Sequence, residues 1–257
     1  MRLVVKVGTS TLSHHTGNIN IMRVEKLCRT LSDIKNAGYE VLLVSSGAIG
    51  MGVGKLPLTE RPKDMATKQA AAAVGQCELM YRYDKLFSEY NHTVAQILLT
   101  GEDLQDDTRR RNIDATLERL LELGALPIIN ENDTVATEQI AVGDNDTLSA
   151  IVAVNVRADL LVILTDIDGL YDSDPRRNPD AKLIRELHAI TPDILAKAGG
   201  AGTSRGTGGM ATKLTAARIC MDSGIPVVIA NGRDPLCLYD IMEGKSVGTR
   251  FVPPEMR

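Results

Sequence analysis

The sequence predicts an α/β fold: a three-layer αβα sandwich with a central, mainly parallel sheet and helices on both faces. Two observations carry this. Short apolar, β-rich runs alternate with segments of helical periodicity from one end of the chain to the other. The runs are apolar at nearly every position, as strands covered on both faces are. The first is Leu3–Val7, broken only by Lys6. After Asn20, a good N-cap, Val24, Leu27, Cys28, Leu31 and Ile34 follow helical spacing, and Gly38 stands where a C′ residue belongs. Val41–Val44 is the next strand. Leu79, Met80, Tyr83, Leu86, Phe87 and Tyr90 form a second helical stripe before the strand Val94–Leu99. Ile113, Leu117, Leu120 and Leu121 form a third, ended by Gly124 before the strand Leu126–Ile129.

The alternation continues to the C-terminal end. Leu148, Ile151 and Val152 begin a helix leading to the strand Leu160–Leu164, and a helix over Met210–Ser223 precedes the strand Val227–Ala230. Two segments break the rhythm. Val135–Val142 alternates like the arm of a β-hairpin, and Tyr171–Leu187 is polar, holds Asp-Pro and Asn-Pro turns, and reads as an inserted excursion. No linker, low-complexity tract or internal repeat divides the chain, so one α/β unit with two lobes is expected over residues 1–257.

Composition narrows the function. With 257 residues, 44% of them apolar, the chain can bury roughly 70–75% of its unfolded surface. The net charge of −4 argues against nucleic acid as the main ligand. The basic run Arg109-Arg110-Arg111 reads as a solvated helix start. Cys28, Cys77, Cys220 and Cys237 lie far apart with no CxxC pair, and His14, His15, His92 and His188 lack ligand spacing. No protein-held metal is expected, and the thiols read as reduced. The N-terminal apolar stretch is too short for a signal peptide, and no run approaches the ~18 residues of a membrane span, so a cytoplasmic protein is expected.

In open α/β sheets ligands sit beyond the carboxyl ends of the strands. There the sequence places Gly8-Thr9-Ser10, Ser45-Ser46-Gly47-Ala48-Ile49-Gly50-Met51-Gly52, Asn130-Glu131-Asn132-Asp133, Gly143-Asp144-Asn145-Asp146 and Thr165-Asp166. Glycine turns whose amides lead into helices suit an anion, so a phosphate or carboxylate ligand is expected. The densest glycine segment, Gly199 to Lys213, is no Walker A loop. It reads either as a surface loop or as a lid whose amides and Lys213 meet phosphates. Lys6, inside a strand, must snorkel at an exposed edge, pair with an acid or reach a ligand. Asp133, Asp144 and Asp146 are the acids that could pair with it, though each could equally be a turn former.

Taken together, Lys6-Val7-Gly8-Thr9-Ser10, Ser45-Ser46-Gly47-Ala48-Ile49, Asn130-Glu131-Asn132-Asp133, Val142-Gly143-Asp144-Asn145-Asp146, Leu164-Thr165-Asp166, Gly169-Leu170-Tyr171, Asp174-Pro175-Arg176 and Gly206-Thr207-Gly208-Gly209-Met210 followed by Thr212-Lys213 resemble the amino acid kinase family, in order and over nearly the whole chain. Within it the pattern is similar to the members that act on free glutamate. The resemblance implies ATP-dependent phosphorylation of the γ-carboxylate of L-glutamate to L-glutamyl 5-phosphate, the first step of proline biosynthesis. It places glutamate toward the N-terminal lobe and ATP toward the C-terminal lobe. Lys6 and Lys213 would contact phosphoryl oxygens, and Asp146 would hold the two lysines. Ser46, Asp133 and Asn145 would bind glutamate. Lys6, Thr165, Asp166, Thr207, Gly208, Gly209, Met210, Ala211, Thr212 and Lys213 would bind ATP, and Mg²⁺ would travel with the nucleotide.

The same resemblance implies proline as a feedback inhibitor, a glutamyl phosphate reductase that consumes the labile product, and a homo-oligomer, dimer or tetramer. Two departures stand out. Many members carry Thr where Ser45 stands, and many carry a C-terminal PUA domain, for which the residues to Arg257 leave no room. The chemistry agrees with the residue types. A carboxylate with a reference pKa near 4.3 is already ionised at neutral pH, so no general base is required. The remaining task is to bring two anions together, which lysines, Mg²⁺ and glycine amides perform. Relatives acting on N-acetylglutamate, carbamate or a nucleoside monophosphate, and a non-catalytic sensor, are the alternatives.

Overall fold

The computed structural model describes residues 1–14, 18–58, 62–136, 144–175, 178–195 and 209–254 in full and residues 196–198 by backbone. Its centre is β1 (Arg2–Val7), an apolar run paired in parallel on both edges: with β2 (Glu40–Ser45) on one side and β5 (Leu160–Thr165) on the other. Outward from β2 come β4 (Leu126–Glu131) and β3 (Val94–Leu99). Outward from β5 come β7 (Val227–Asn231), β8 (Thr249–Phe251) and β6 (Glu186–Leu187). Every strand pair among the described residues is parallel except β7 with β8.

Successive strand residues face opposite sides of the sheet, and the two faces bury separate cores. Leu3, Val5, Val7, Leu43 and Val162 meet α1 (Thr9–Leu12), α2 (Ile21–Asn36), α4 (Met65–Ser88) and α10 (Cys237–Met242). Val4, Val44, Leu161 and Ile229 meet α6 (Asp107–Glu122), α7 (Asn145–Asn155), α8 (Pro192–Ala198) and α9 (Met210–Asp222). The three-layer sandwich expected from the sequence is present. Its caps follow the expected chemistry: Asn20 Oδ1 accepts from the Arg23 amide at 3.1 Å, and Gly38 and Gly124 take positive φ after α2 and α6. Arg109, Arg110 and Arg111 lie exposed in the first turns of α6, pairing locally with Asp103, Asp107 and Thr108.

Three segments differ from expectation. The glycine-rich stretch after β2 winds into α3 (Ala48–Lys55), packed backbone to backbone on α4. A Cβ on Gly52 would stand 1.7 Å from the Ala71 carbonyl oxygen, and one on Gly75 would stand 1.7 Å from that of Ala48. The excursion after Tyr171 returns as β6 to the sheet edge, and a short α5 (Gly101–Gln105) with a Thr100–Asp103 capping box follows β3. The hairpin arm at Val135–Val142 lies mostly outside the described residues; Val135 and Ala136 turn back onto the Asn132 carbonyl.

Candidate active site

β1 is the point from which the chain builds outward in both directions, and the carboxyl ends of its neighbours converge there, where ligands bind in open α/β sheets. Lys6 shares a face with Val4, beneath α7 and α9, and is 6% exposed. An exposed edge position for Lys6 is thereby corrected: two parallel neighbours flank it. Of the three acids that could meet it, Asp146 in the first turn of α7 does so, with Lys6 Nζ 2.6 Å from Asp146 Oδ1. Lys213, near the start of α9, places its Nζ 3.1 Å from Asp146 Oδ2. The Thr212 hydroxyl lies 2.8 Å from both that oxygen and the Gly209 carbonyl, either of which accepts its proton.

Asp146 is fully buried, and Lys213 is as covered as Lys6. Burial works against the carboxylate, but the two ammonium groups and the Thr212 hydroxyl overcome it and hold Asp146 at about 2. Burial lowers Lys6 from its ordinary value, partly opposed by Asp146, while the charge of Lys213 lowers it further. Among the described residues two lysines contact this one carboxylate, and the charge of Asp144 acts on Lys6 from further away. Beside them α9 begins at Gly209 with no side-chain cap among the described residues, and the amides of Met210, Ala211 and Thr212 there suit an anion. Gly8 passes close over the lysine: a Cβ there would sit 3.5 Å from Lys6 Nζ.

The residue before Asp146 starts a second cluster. Asn145 Nδ2 lies 2.8 Å from Ser46 Oγ, 2.9 Å from Asn130 Oδ1 and 3.3 Å from the Ser45 carbonyl, all of which accept. Asn130 in turn donates to Gln76 Oε1 at 2.9 Å. Ser45 turns its hydroxyl away toward Tyr83 Oη, 2.8 Å distant, so it faces α4. A small cleft opens beside Ser46, lined also by Thr9, Leu12, Gly47 and Met51.

The remaining expected residues stand around these two clusters. Asp133 lies in the turn after β4, half-buried, its carboxyl raised to about 6 by burial and by the neighbouring charge of Glu131. Asp144 proves to be a turn former, capping α7 through the Thr147 amide at 2.9 Å. Thr165 ends β5 buried, its hydroxyl 3.3 Å from the exposed Asp166 carboxylate, which accepts. Thr207 and Gly208, with the segment 199–208, lie outside the described residues. Sequence reasoning gave no role to Gln76, Tyr83 or the Asn130 side chain. Their signal was weak, since Gln76 sits in an Ala-rich helix and Tyr83 in an apolar stripe.

Residues 1–231 match the model of the amino acid kinase family. The chain belongs to the amino acid kinase family. It is a kinase, and its similarity to individual family members is high. It is 55% identical to a glutamate 5-kinase of Clostridium perfringens, over 98% of this chain and 95% of that protein. It is equally identical to a glutamate 5-kinase of Caldanaerobacter subterraneus, over 98% of this chain but 68% of that longer protein. Among solved structures, an isopentenyl phosphate kinase of T. acidophilum superposes with a TM-score of 0.70 at 20% identity, covering 98% of this chain and all of that one. A carbamate kinase of Giardia lamblia gives 0.68 at 18% identity, covering 98% of each chain. At that distance the two structures share the amino acid kinase fold with this chain.

Proposed function

We propose that the protein transfers the γ-phosphoryl group of ATP to the γ-carboxylate of L-glutamate, giving L-glutamyl 5-phosphate and ADP, the entry reaction of proline biosynthesis. The observation that carries this is the adjacency of two clusters. The Lys6–Asp146–Lys213 group, two lysines on one carboxylate, adjoins the Asn145–Ser46 group through consecutive residues of α7. Identity of 52–56% with several glutamate 5-kinases supports the same reading.

In this reading a γ-carboxylate oxygen attacks the γ-phosphorus while the bond to the β-phosphate bridging oxygen breaks, and the electron pair leaves with ADP. No proton moves. Lys6 and Lys213 neutralise charge on the phosphoryl oxygens, and Asp146 fixes both ammonium groups so that little reorganisation accompanies transfer. Ser46, Asn145 and Asp133 bind glutamate, with Asp133 facing its α-ammonium group. Thr165, Asp166 and residues 207–213 hold the nucleotide. Among the described residues no three His, Cys, Asp or Glu side chains gather into a metal site. Mg²⁺, held by the nucleotide phosphates rather than by side chains of this protein, would supply screening of their charge.

Residues 1–257 form one domain in this reading, with a glutamate lobe before β5 and an ATP lobe from β5 onward. Proline acts as feedback inhibitor, a glutamyl phosphate reductase takes the labile product, and the protein works as a homo-oligomer in the cytoplasm. Among the described residues no helix is long and apolar enough to cross a membrane. The test is ATP turnover with L-glutamate and Mg²⁺, trapping the acyl phosphate with hydroxylamine, with N-acetylglutamate and aspartate in parallel. Glutamate-dependent hydroxamate is the expected result. Preference for N-acetylglutamate would move the assignment within the family, and ATP binding without turnover would point to a sensor.

A further inference from the structure

We propose that Gln76, on α4 and behind the substrate cluster, is a positioning residue that fixes the polarity of the glutamate site. The inference rests on the function proposed above and extends it to a side chain with no assigned role. A primary amide has one accepting and one donating end. Asn130, 2% exposed, uses both: its Oδ1 accepts from the Glu131 backbone amide and from Asn145 Nδ2, each at 2.9 Å, and its Nδ2 donates to Gln76 Oε1 at 2.9 Å. A backbone N–H can only donate, so the Glu131 contact fixes which end of Asn130 is oxygen. Gln76 Oε1 then supplies the acceptor that the other end requires.

The direction propagates. With Asn130 presenting oxygen, Asn145 turns its NH₂ toward Asn130 and Ser46, which leaves Asn145 Oδ1 as a buried acceptor with no donor among the described residues. A free acceptor in the cluster that adjoins Asp133's turn suits a donor-rich group such as the α-ammonium of glutamate. An N-acylated amino acid offers a single N–H and no charge, so the same polarity disfavours it. Without the Gln76 acceptor, the Asn130 NH₂ is buried and unpaired, and the side chain gains by rotating toward solvent, which releases Asn145. Gln76 is held for this task by the Gly52–Ala71 and Gly75–Ala48 contacts, which lock α4 against α3 in the turns just before it.

The experiment compares Gln76→Met, which keeps the length of the side chain but offers only a weakly accepting thioether, with Gln76→Glu, which retains an oxygen where Oε1 stands. Kinetics are measured for L-glutamate and ATP on the full chain, beside thermal melting. The expected result is a rise of about tenfold or more in KM for glutamate in the Met variant, the size of effect an unpaired buried amide gives. Its KM for ATP should stay within about twofold, and the Glu variant should stay within about threefold of native. An unchanged glutamate KM in Gln76→Met overturns the proposal. So does an equal loss in both variants accompanied by a lowered melting temperature, because that is the mark of packing alone. Failure of the native chain to phosphorylate glutamate shows itself before any variant is made, and removes the functional reading with the proposal.

Discussion

Replacing Asp146 by asparagine preserves the volume of the side chain and removes the one anion between two buried ammonium groups. The carboxyl sits at about 2, some two units below its ordinary value, and is fully buried. Each unit corresponds to about 1.4 kcal/mol, so its ionised form contributes about 2 to 3 kcal/mol to folding at neutral pH. The sign follows from the direction of the shift. A depressed acid stabilises above its unfolded pKa, near 4, and that contribution is lost as pH falls from about 4 to 2. Leaving two cations without their partner raises the cost to roughly 3–5 kcal/mol. For a chain of this size that lowers Tm by roughly 6–20 °C. Catalysis should fall further than stability suggests. The amide can accept from one lysine only, and its NH₂ faces the other, so Lys6, already lowered by burial, loses its proton more readily. Loss of one preorganised charge at a transition state costs about 10²–10³ in kcat. Melting curves and hydroxamate assays across pH 6–9 test both parts. A variant with kcat within about threefold of native would refute the role given to Asp146.

Lys213→Ala should lower kcat by about 10²–10³ while KM for ATP changes by less than tenfold, measured in steady-state kinetics with varied nucleotide. The Asp133 carboxyl, raised to about 6, should bind the glutamate ammonium only when ionised. kcat/KM for glutamate should therefore fall as pH drops through about 6, and Asp133→Asn should remove that step from the pH profile while lowering kcat/KM at pH 8. Gly75→Ala places a methyl group 1.7 Å from the Ala48 carbonyl oxygen, a backbone atom that cannot give way cheaply. A loss of about 3 kcal/mol or more is expected, read as a lowered urea midpoint, with α3 displaced from Ser46 and glutamate KM raised.

The strands were legible because buried parallel strands are runs of apolar residues, and Leu3–Val7, Val41–Val44 and Leu160–Leu164 match the observed elements to within a residue. Lys6 stood out for the same reason: a charge in such a run needs a partner. Which acid provides it was not legible, since Asp133, Asp144 and Asp146 have the same chemistry, and only the docking of α7 on the Lys6 face selects Asp146. The helix α3 was hidden by its own glycines. Gly50, Gly52 and Gly54 lower helix propensity, yet Gly52, like Gly75 on α4, serves a tertiary contact that no local signal records. β6 and β8 are two and three residues long, too short for a period to show, and the antiparallel pairing of β8 with β7 has no sequence signature. Gln76 escaped notice because its partner, Asn130, lies 54 residues away.

The central place of β1 also sets an order of events during synthesis. Leu3 pairs with Val41 on one edge and with Leu160 on the other. As the chain leaves the ribosome, β2 can close the first edge early, followed by β4 and β3, and this half can condense on α2 and α4. The second edge of β1 stays open until β5 has emerged, more than a hundred residues later. Through that interval it exposes unpaired backbone groups along an apolar strand, a template for pairing with another nascent chain. Long-range closure of this kind is slow once the loop is available. The strand that carries the buried Lys6 is thus the one most exposed to misassembly, and early engagement by a chaperone should matter more for this edge than for any other in the sheet.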